Sequence, residues 1–330
     1  LGLVGSEMCI RDSIATGQGD MGFRVTLRNK EIIIANNIAY KNRGTQGSVN
    51  SQIGFSVEGN EAARVIISNN VIAENNDGVM VMTPHAEVII NNNYFFNNSN
   101  GVHLNKEGGG SPSTTGFVLI DGNIFRDNYF GVSSEFDNVK ISNNIIDATD
   151  RGSYANIYFY YDVTIKNIHI TDNLLKNAGT NGIDNRPAIY LTNVANVTIT
   201  GNKIWDDRPT KLQSYAIAFF GTNYDVVIRN NDVRNWGFAS SPFYGLGSID
   251  RLIIENNLGY PTESKGTVVI PEGLTSVTVG HGLRGTPSVV IVTPNKDTRY
   301  WVTNKTSTSF IIHIPSSIPG GVSFDWYAKI

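Results

Sequence analysis

The sequence predicts an all-β chain: a right-handed single-stranded parallel β-helix of about nine coils, followed by a small antiparallel β-sandwich. Three observations predict it. An asparagine-centred unit recurs along most of the chain, β-branched residues alternate with period two inside each unit, and the pattern changes abruptly after Tyr260 and Pro261.

With an asparagine as position zero, each unit places apolar residues five and three positions earlier. The nine centres are Asn37, Asn70, Asn93, Asn123, Asn144, Asn173, Asn202, Asn231 and Asn257. The preceding pairs run from Ile32/Ile34 and Val65/Ile67 through to Val226/Ile228 and Leu252/Ile254. Two positions after the centre come Ile72, Phe95, Phe125, Ile146, Leu175, Ile204 and Val233, with only Ala39 and Gly259 small, at the two ends, where repeats are expected to be atypical.

Such alternation means short strands with one buried face, and it excludes helix. Spacings of 33, 23, 30, 21, 29, 29, 29 and 26 residues are too irregular for a propeller but suit coils whose loops carry insertions. One unit cannot bury its face alone, so units must stack at about 4.8 Å per coil. The asparagine itself has two possible structural roles, a left-handed turn residue or one rung of an inward ladder of amides; the ladder is the expectation, and neither is a site role.

Composition narrows the function. The chain has 330 residues, formal net charge −3 and scattered Lys and Arg, without the basic footprint of a nucleic-acid binder. No run approaches the roughly 18 apolar residues of a membrane-spanning helix. Cys9 is the single cysteine, so no intrachain disulfide can form. Residues 1–13 lack the repeat, have no initiator Met and resemble translated sequencing-adapter peptide; they are expected to lie outside the fold, with the β-helix over 14–260 and the last module over 261–330.

Each unit carries a second, earlier strand, such as Gly101-Val102-His103-Leu104-Asn105 and Asn156-Ile157-Tyr158-Phe159-Tyr160. Its third and fifth positions point outward and stack into two columns. The first reads Ser56, Met80, His103, Ser133, Tyr158, Tyr190, Ala218; the second reads Glu58, Met82, Asn105, Glu135, Tyr160, Thr192, Phe220. Aromatic and acidic residues so gathered suggest a sugar platform.

On that platform His103, Glu135, Tyr158 and Tyr190 are the candidate catalytic residues. Glu58, Asn105, Lys106, Tyr160, Arg186 and Phe220 are the candidate substrate contacts. Elimination on a uronate needs a base, an acid and a cation or amide facing the carboxylate, for which Lys106 or Arg186 is available. Hydrolysis needs two carboxyl groups, and Glu135 with Asp137 or Asp206 with Asp207 are the available pairs. Asp184, Asp206 and Asp207 are the possible calcium ligands; no other cofactor is expected. Gly108-Gly109-Gly110 reads as a flexible insertion rather than a phosphate loop.

The x-N-N turns, aliphatic pairs and coil length over about residues 23–260 resemble right-handed parallel β-helix proteins of the pectate-lyase-like superfamily, especially the periplasmic copper-protein-like and carbohydrate-binding repeats. The resemblance implies an extracellular or cell-surface protein whose partner is a long polysaccharide, bound or degraded, with lysis ahead of hydrolysis; the alternative is a non-catalytic adhesin or tailspike-like fibre protein, a possible homotrimer. Galacturonan hydrolases of that superfamily carry an Asp-Asp pair, a Gly-His-Gly and an Arg-x-Lys; here only Gly280-His281-Gly282 matches, beyond the last coil, and it reads as a turn.

Segments 276–279, 288–293, 300–303, 310–314 and 322–328 read as antiparallel strands. Val277 to His281, Tyr300 to Asn304 and Phe324 to Tyr327 resemble terminal modules of tailspike-like proteins and are similar to trimeric H-type lectins. That resemblance leaves Trp301 and Trp326 as core, trimer or sugar contacts, with core the expectation.

Overall fold

The computed structural model describes residues 7–17, 21–26, 31–42, 52–59, 64–83, 85–106, 116–150, 152–179 and 186–330. Gly108-Gly109-Gly110 and Asp184 lie outside these. The chain divides into two units, Leu1–Ile253 and Ile254–Ile330.

In the first unit the chain visits three parallel sheets in turn, and the same cycle repeats coil after coil. Sheet 1 has ten strands, from Glu7–Arg11 and Glu31–Ala35 to Ile249–Glu255. Sheet 2 has nine short strands, from Ile14–Thr16 to Asp232–Asn235, and sheet 3 has nine, from Met21–Thr26 to Phe243–Tyr244. This is the stacked parallel β-helix that the repeat requires. The pairs identified in the sequence lie in register and buried: Val88 sits between Val65 and Val118, and Ile90 between Ile67 and Ile120. Inside the coils Phe95 and Phe125 stack at 4.5 Å.

The two asparagine roles turn out to belong to adjacent residues. The residue before each centre takes the left-handed conformation: Asn36, Asn69, Asn92, Asn143, Asp172, Asn230 and Asn256 have φ between 55° and 58°, with Gly122 and Gly201 filling the same place. The centre itself is buried and forms the ladder. From Asn70 to Asn231 each Oδ1 accepts both the backbone N–H and the side-chain N–H of the previous coil's asparagine, at 2.8 to 3.1 Å. The remaining amide proton goes to a carbonyl of the coil before, as from Asn144 to Ile120 at 2.9 Å. Every polar atom of a buried amide is thereby satisfied.

A second ladder escaped the sequence reading. Asn42, Asn75, Asn98 and Asn128 join in the same way at the corner between sheets 2 and 3, each after a left-handed residue (Lys41, Glu74, Asn97 and Asp127). Its signal is an asparagine five positions after four successive centres. Glycine marks the next corner: a Cβ on Gly54, Gly78, Gly101 or Gly131 would lie 2.6 Å from the carbonyl oxygen one coil on.

The opening segment departs from expectation from residue 7 onward. Glu7–Arg11 pairs in parallel with Glu31–Ala35, and Ser13 N–H donates to Asn37 Oδ1 at 3.0 Å. Met8, Ile10 and Ala15 stand five before, three before and two after Ser13, so the unit is present with serine as its centre.

The second unit holds two three-stranded antiparallel sheets. Sheet 4 orders Glu263–Ile270, Val322–Lys329, Val289–Pro294; sheet 5 orders Ser276–Gly280, Ser309–His313, Trp301–Thr303. Both feed one buried cluster that includes Ile270, Val279, Phe310, Ile312 and Phe324. Trp326 packs against it, edge-on to Phe310 at 5.6 Å, as a core residue should. Trp301 does not: it is 47% exposed, because Val302 is the residue of its strand that turns inward. Gly280 ends the strand Ser276–Gly280, His281 is buried with its Nε2 3.1 Å from the carbonyl of Thr306, and Gly282 takes φ 67°, so the Gly-His-Gly lies where the chain leaves sheet 5.

The ladder can be tested by substituting neighbours. Asn144→Ala removes the acceptor of two buried N–H groups of Asn123 and should cost roughly 3 kcal/mol in denaturant unfolding, whereas Asn143→Gly, at a left-handed position, should be neutral or slightly stabilising. Equal losses for the two would show that the rung carries no special energy.

Candidate functional site

The outer face of sheet 3 brings the predicted columns into register. Arg24, Ser56, Met80, His103, Ser133, Tyr158, Tyr190, Ala218 and Tyr244 are consecutive partners. Exposure along this column is uneven: Ser56, Met80, Ser133 and Ala218 are buried, while His103, Tyr158 and Tyr190 remain partly open.

Aromatic rings cover the C-terminal half of this face. Phe130 lies 4.9 Å from Tyr158, Tyr158 4.9 Å from Tyr190, Tyr190 4.5 Å from Phe220, and Phe220 5.3 Å from Tyr244. Tyr154 fills in beside Tyr158 and Tyr190, and Tyr160 stacks on Tyr158 at 5.9 Å. These separations match the rise of about 4.8 Å per coil. Tyr190 and Phe220 stack within 18° of parallel, whereas Tyr158 is tilted by 42° to Phe130 and by 41° to Tyr190, and Tyr160 and Tyr244 are the more exposed members. Phe130, Tyr154 and Tyr244 were missed in the sequence. Phe130 belongs to a third outward column with Asp77 and Asn100, one residue upstream of where the strands were taken to start.

At the end of the ribbon is a concavity of about 220 Å³ lined by Asn100, His103, Phe130, Ser133, Glu135, Tyr158 and Tyr160. Four predicted site residues meet there. Behind His103, the buried Asp77 accepts the Asn100 amide at 2.6 Å, and Asn100 Oδ1 accepts the Ser133 hydroxyl at 3.0 Å. His103 Nδ1 is 3.3 Å from Asp77 Oδ1, off the line of a hydrogen bond. Glu135 accepts the backbone N–H of Lys106 at 2.9 Å.

The remaining candidates are placed differently. Tyr190 and Phe220 continue the ribbon, and Asn105 directly follows the strand that carries His103. Glu58 stands two coils before His103 and is paired with Arg24 and Ser56. Arg186 lies over the Tyr154 ring at 4.6 Å and donates to the Tyr129 hydroxyl at 3.3 Å. The Lys106 amine is buried and has no hydrogen-bond partner among the described residues; desolvation lowers its pKa against the pull of Asp137 and Glu135. Asp137 accepts the N–H of Lys166 at 2.7 Å.

Asp206 is unsuited to acid-base work or to a cation. Burial pushes its pKa up, but the Arg208 guanidinium at 2.8 Å and the N–H groups of Gln213 and Leu212 outweigh this and hold the carboxyl below its ordinary value. Asp207 pairs with Lys176 at 3.2 Å and accepts from Asn177 at 2.8 Å. Wider hollows of about 330 and 580 Å³ lie on sheet 2, where the charges are already paired, Arg234 with Asp232 and Arg126 with Asp150.

Burial, aided by the neighbouring phenols of Tyr190 and Tyr154, raises the pKa of Tyr158 far above the usual 10.0, and burial raises that of Tyr190. Both phenols keep their protons at neutral pH, so they can donate hydrogen bonds but not abstract a proton. The folded chain holds these protons where the unfolded chain releases them. Their contribution to stability should be intact below about pH 10 and decline above it. Tyr158→Phe should flatten part of that decline in unfolding measured against pH; an unchanged slope contradicts the assignment. Asp206→Ala, which strands a largely buried Arg208, should cost roughly 3 kcal/mol while sparing any glycan affinity.

No family model and no curated protein matches this sequence. Solved structures do match. A mutant tailspike protein of E. coli bacteriophage HK620 in complex with a hexasaccharide is similar with TM-score 0.51 and 11% identity, over 90% of this chain and 59% of that one. A double mutant of the same tailspike gives TM-score 0.51 and 11% identity over 97% and 68%. This chain thus spans between 59% and 68% of their length, and at that identity the likeness shows the fold alone, a parallel β-helix.

Proposed function

We propose that this protein binds a long cell-surface polysaccharide along the outer face of sheet 3, outside the cell that bears it, as a tailspike-like protein. The observation that carries the reading is the unbroken aromatic ribbon from Phe130 to Tyr244, ending at the His103 and Glu135 concavity. Phenol hydroxyls at successive coils offer hydrogen bonds to a chain lying parallel to the axis, and apolar ring edges give it contact area. The hexasaccharide held by the HK620 tailspike supports the reading.

Binding stands ahead of cleavage. Elimination on a uronate needs a reachable cation or amide, yet Lys106 has its amine buried, Arg186 lies on Tyr154, and the Asn100 amide donates to Asp77. Hydrolysis needs two carboxyl groups across the bond, and Glu135 lines the concavity while Asp77 is shielded behind His103. The ligand favoured by these charges is a neutral glycan. Affinity electrophoresis against neutral and acidic polysaccharides should find retention, weakened about tenfold or more by Tyr158→Ala with Tyr190→Ala. Failure to retain any glycan removes the proposal.

Self-association as a homotrimer has its own support. Ile14, Ile38, Val71, Ile124, Ile145 and Leu174 occupy the same outward position of sheet 2 strands, and each is at least 39% exposed, an apolar stripe of the kind that marks an interface. Light scattering should give three chains per particle and a shift to monomer for Ile124→Glu with Ile145→Glu. A monomeric wild type refutes this part alone.

A further inference from the structure

Three side chains of one outward column follow each other on successive coils of sheet 3. His103, Ser133 and Tyr158 are register partners, about 4.8 Å apart along the axis. All three line the concavity of about 220 Å³. Asp77 stands behind them, 3% exposed, and among the described residues His103 is the only basic side chain within ion-pair distance of it. Packing does not require a carboxylate there: the coils on either side carry Ile53 and Asn100 at the same position, and Phe130 follows one coil further on. A charge buried at such a place is costly unless it serves a partner.

The imidazole is that partner. His103 Nδ1 is buried and has no hydrogen-bond partner among the described residues, although Asp77 Oδ1 lies 3.3 Å away. A buried nitrogen left unpaired calls for an explanation, and a catalytic role is one. The His103 side chain is 22% exposed, so its accessible edge is the opposite one, which carries Nε2. On the next coil the Ser133 hydroxyl donates to Asn100 Oδ1 at 3.0 Å, and the Asn100 amide donates to Asp77 at 2.6 Å, so carboxylate, imidazole and hydroxyl belong to one connected group. Rotation about one bond turns the hydroxyl from Asn100 toward the imidazole. Contacts of this kind are commonly loose until substrate is bound.

We propose that the concavity is the active site of a serine esterase acting on short-chain acyl esters. Ser133 is the nucleophile, His103 the general base, Asp77 the residue that positions the imidazole, and the Tyr158 hydroxyl the donor to the developing oxyanion. Ser133 Oγ bonds to the acyl carbon while its proton passes to His103 Nε2. The ester C–O bond then breaks as Nε2 returns that proton to the departing alcohol oxygen. Water repeats both transfers on the acyl-enzyme, releasing the carboxylic acid and restoring the Ser133 hydroxyl. A hollow of about 220 Å³ suits a short acyl group. The reaction cuts an acyl ester rather than a glycosidic bond, and it stands whether or not a glycan lies on the ribbon.

The test uses the full chain with a fluorophosphonate probe and 4-nitrophenyl acetate. The probe should label one serine, identified as Ser133 by peptide mass spectrometry, and acetate release should continue over many turnovers. Ser133→Ala should abolish labelling and lower kcat about a hundredfold or more, and His103→Ala should lower kcat comparably. Asp77→Asn can still accept the Asn100 amide; it should lower kcat while leaving KM nearly unchanged, a split that a merely structural role would not produce. Tyr158→Phe should lower kcat with labelling still at Ser133, and an unchanged kcat removes the oxyanion role from Tyr158. Ser133→Ala deletes one oxygen atom and should keep the wild-type circular dichroism; if it does not, the labelling site in the wild type decides. The proposal is overturned if the probe leaves Ser133 unlabelled, if acetate release is no faster than from the heat-denatured chain, or if folded Ser133→Ala keeps the wild-type rate.

Discussion

Burying a primary amide is costly unless every donor and acceptor is paired, and that constraint organises the first unit. Each asparagine of the main ladder can satisfy its oxygen and both protons only if another sits one coil away in the same orientation. The requirement fixes coil register to a single residue. Once register is fixed, every strand residue has an assigned face, because a slip by one would exchange inside for outside along the whole sheet. The columns on sheet 3 are therefore a consequence of a ladder at a different corner of the coil.

This dependence explains why the fold was legible. The ladder recurs at one position of every unit, and the aliphatic pairs before it belong to strands of the same sheet, so one short pattern specifies turn, strand and stacking together. What the pattern hid was the division of labour in the x-N-N turn. Asn36 and Asn37 are identical in sequence, and only the backbone shows that the first bends the chain while the second is buried. The opening coil was hidden for a related reason: Ser13 stands where asparagine was required, although Met8, Ile10 and Ala15 keep the spacing. Trp301 was misplaced because exposure of an edge strand depends on which neighbour turns inward.

The site was only half legible. Alternation placed His103, Tyr158 and Tyr190 in one column, and register joined them. Loop residues obey no such periodicity, so the partners of Arg186 and Asp206 had no signal in the sequence. Stacking also changed the chemistry of the platform. Rings repeating at the coil spacing pack against one another, Tyr190 on Phe220 nearly parallel and Tyr158 tilted between Phe130 and Tyr190, so part of each ring is taken up by its neighbours. Burial, and after it the neighbouring phenols, raises the pKa of Tyr158, which suits a hydrogen-bond donor better than a base.

The central claim is that glycan lies along the outer face of sheet 3, parallel to the axis. A crystal structure of the wild-type chain with a bound neutral oligosaccharide tests it most directly. The account predicts sugar density running from the His103 and Glu135 concavity past Tyr158 and Tyr190 toward Tyr244. Ordered sugar confined to sheet 1 or sheet 2, with the ribbon of sheet 3 occupied only by water, would contradict it.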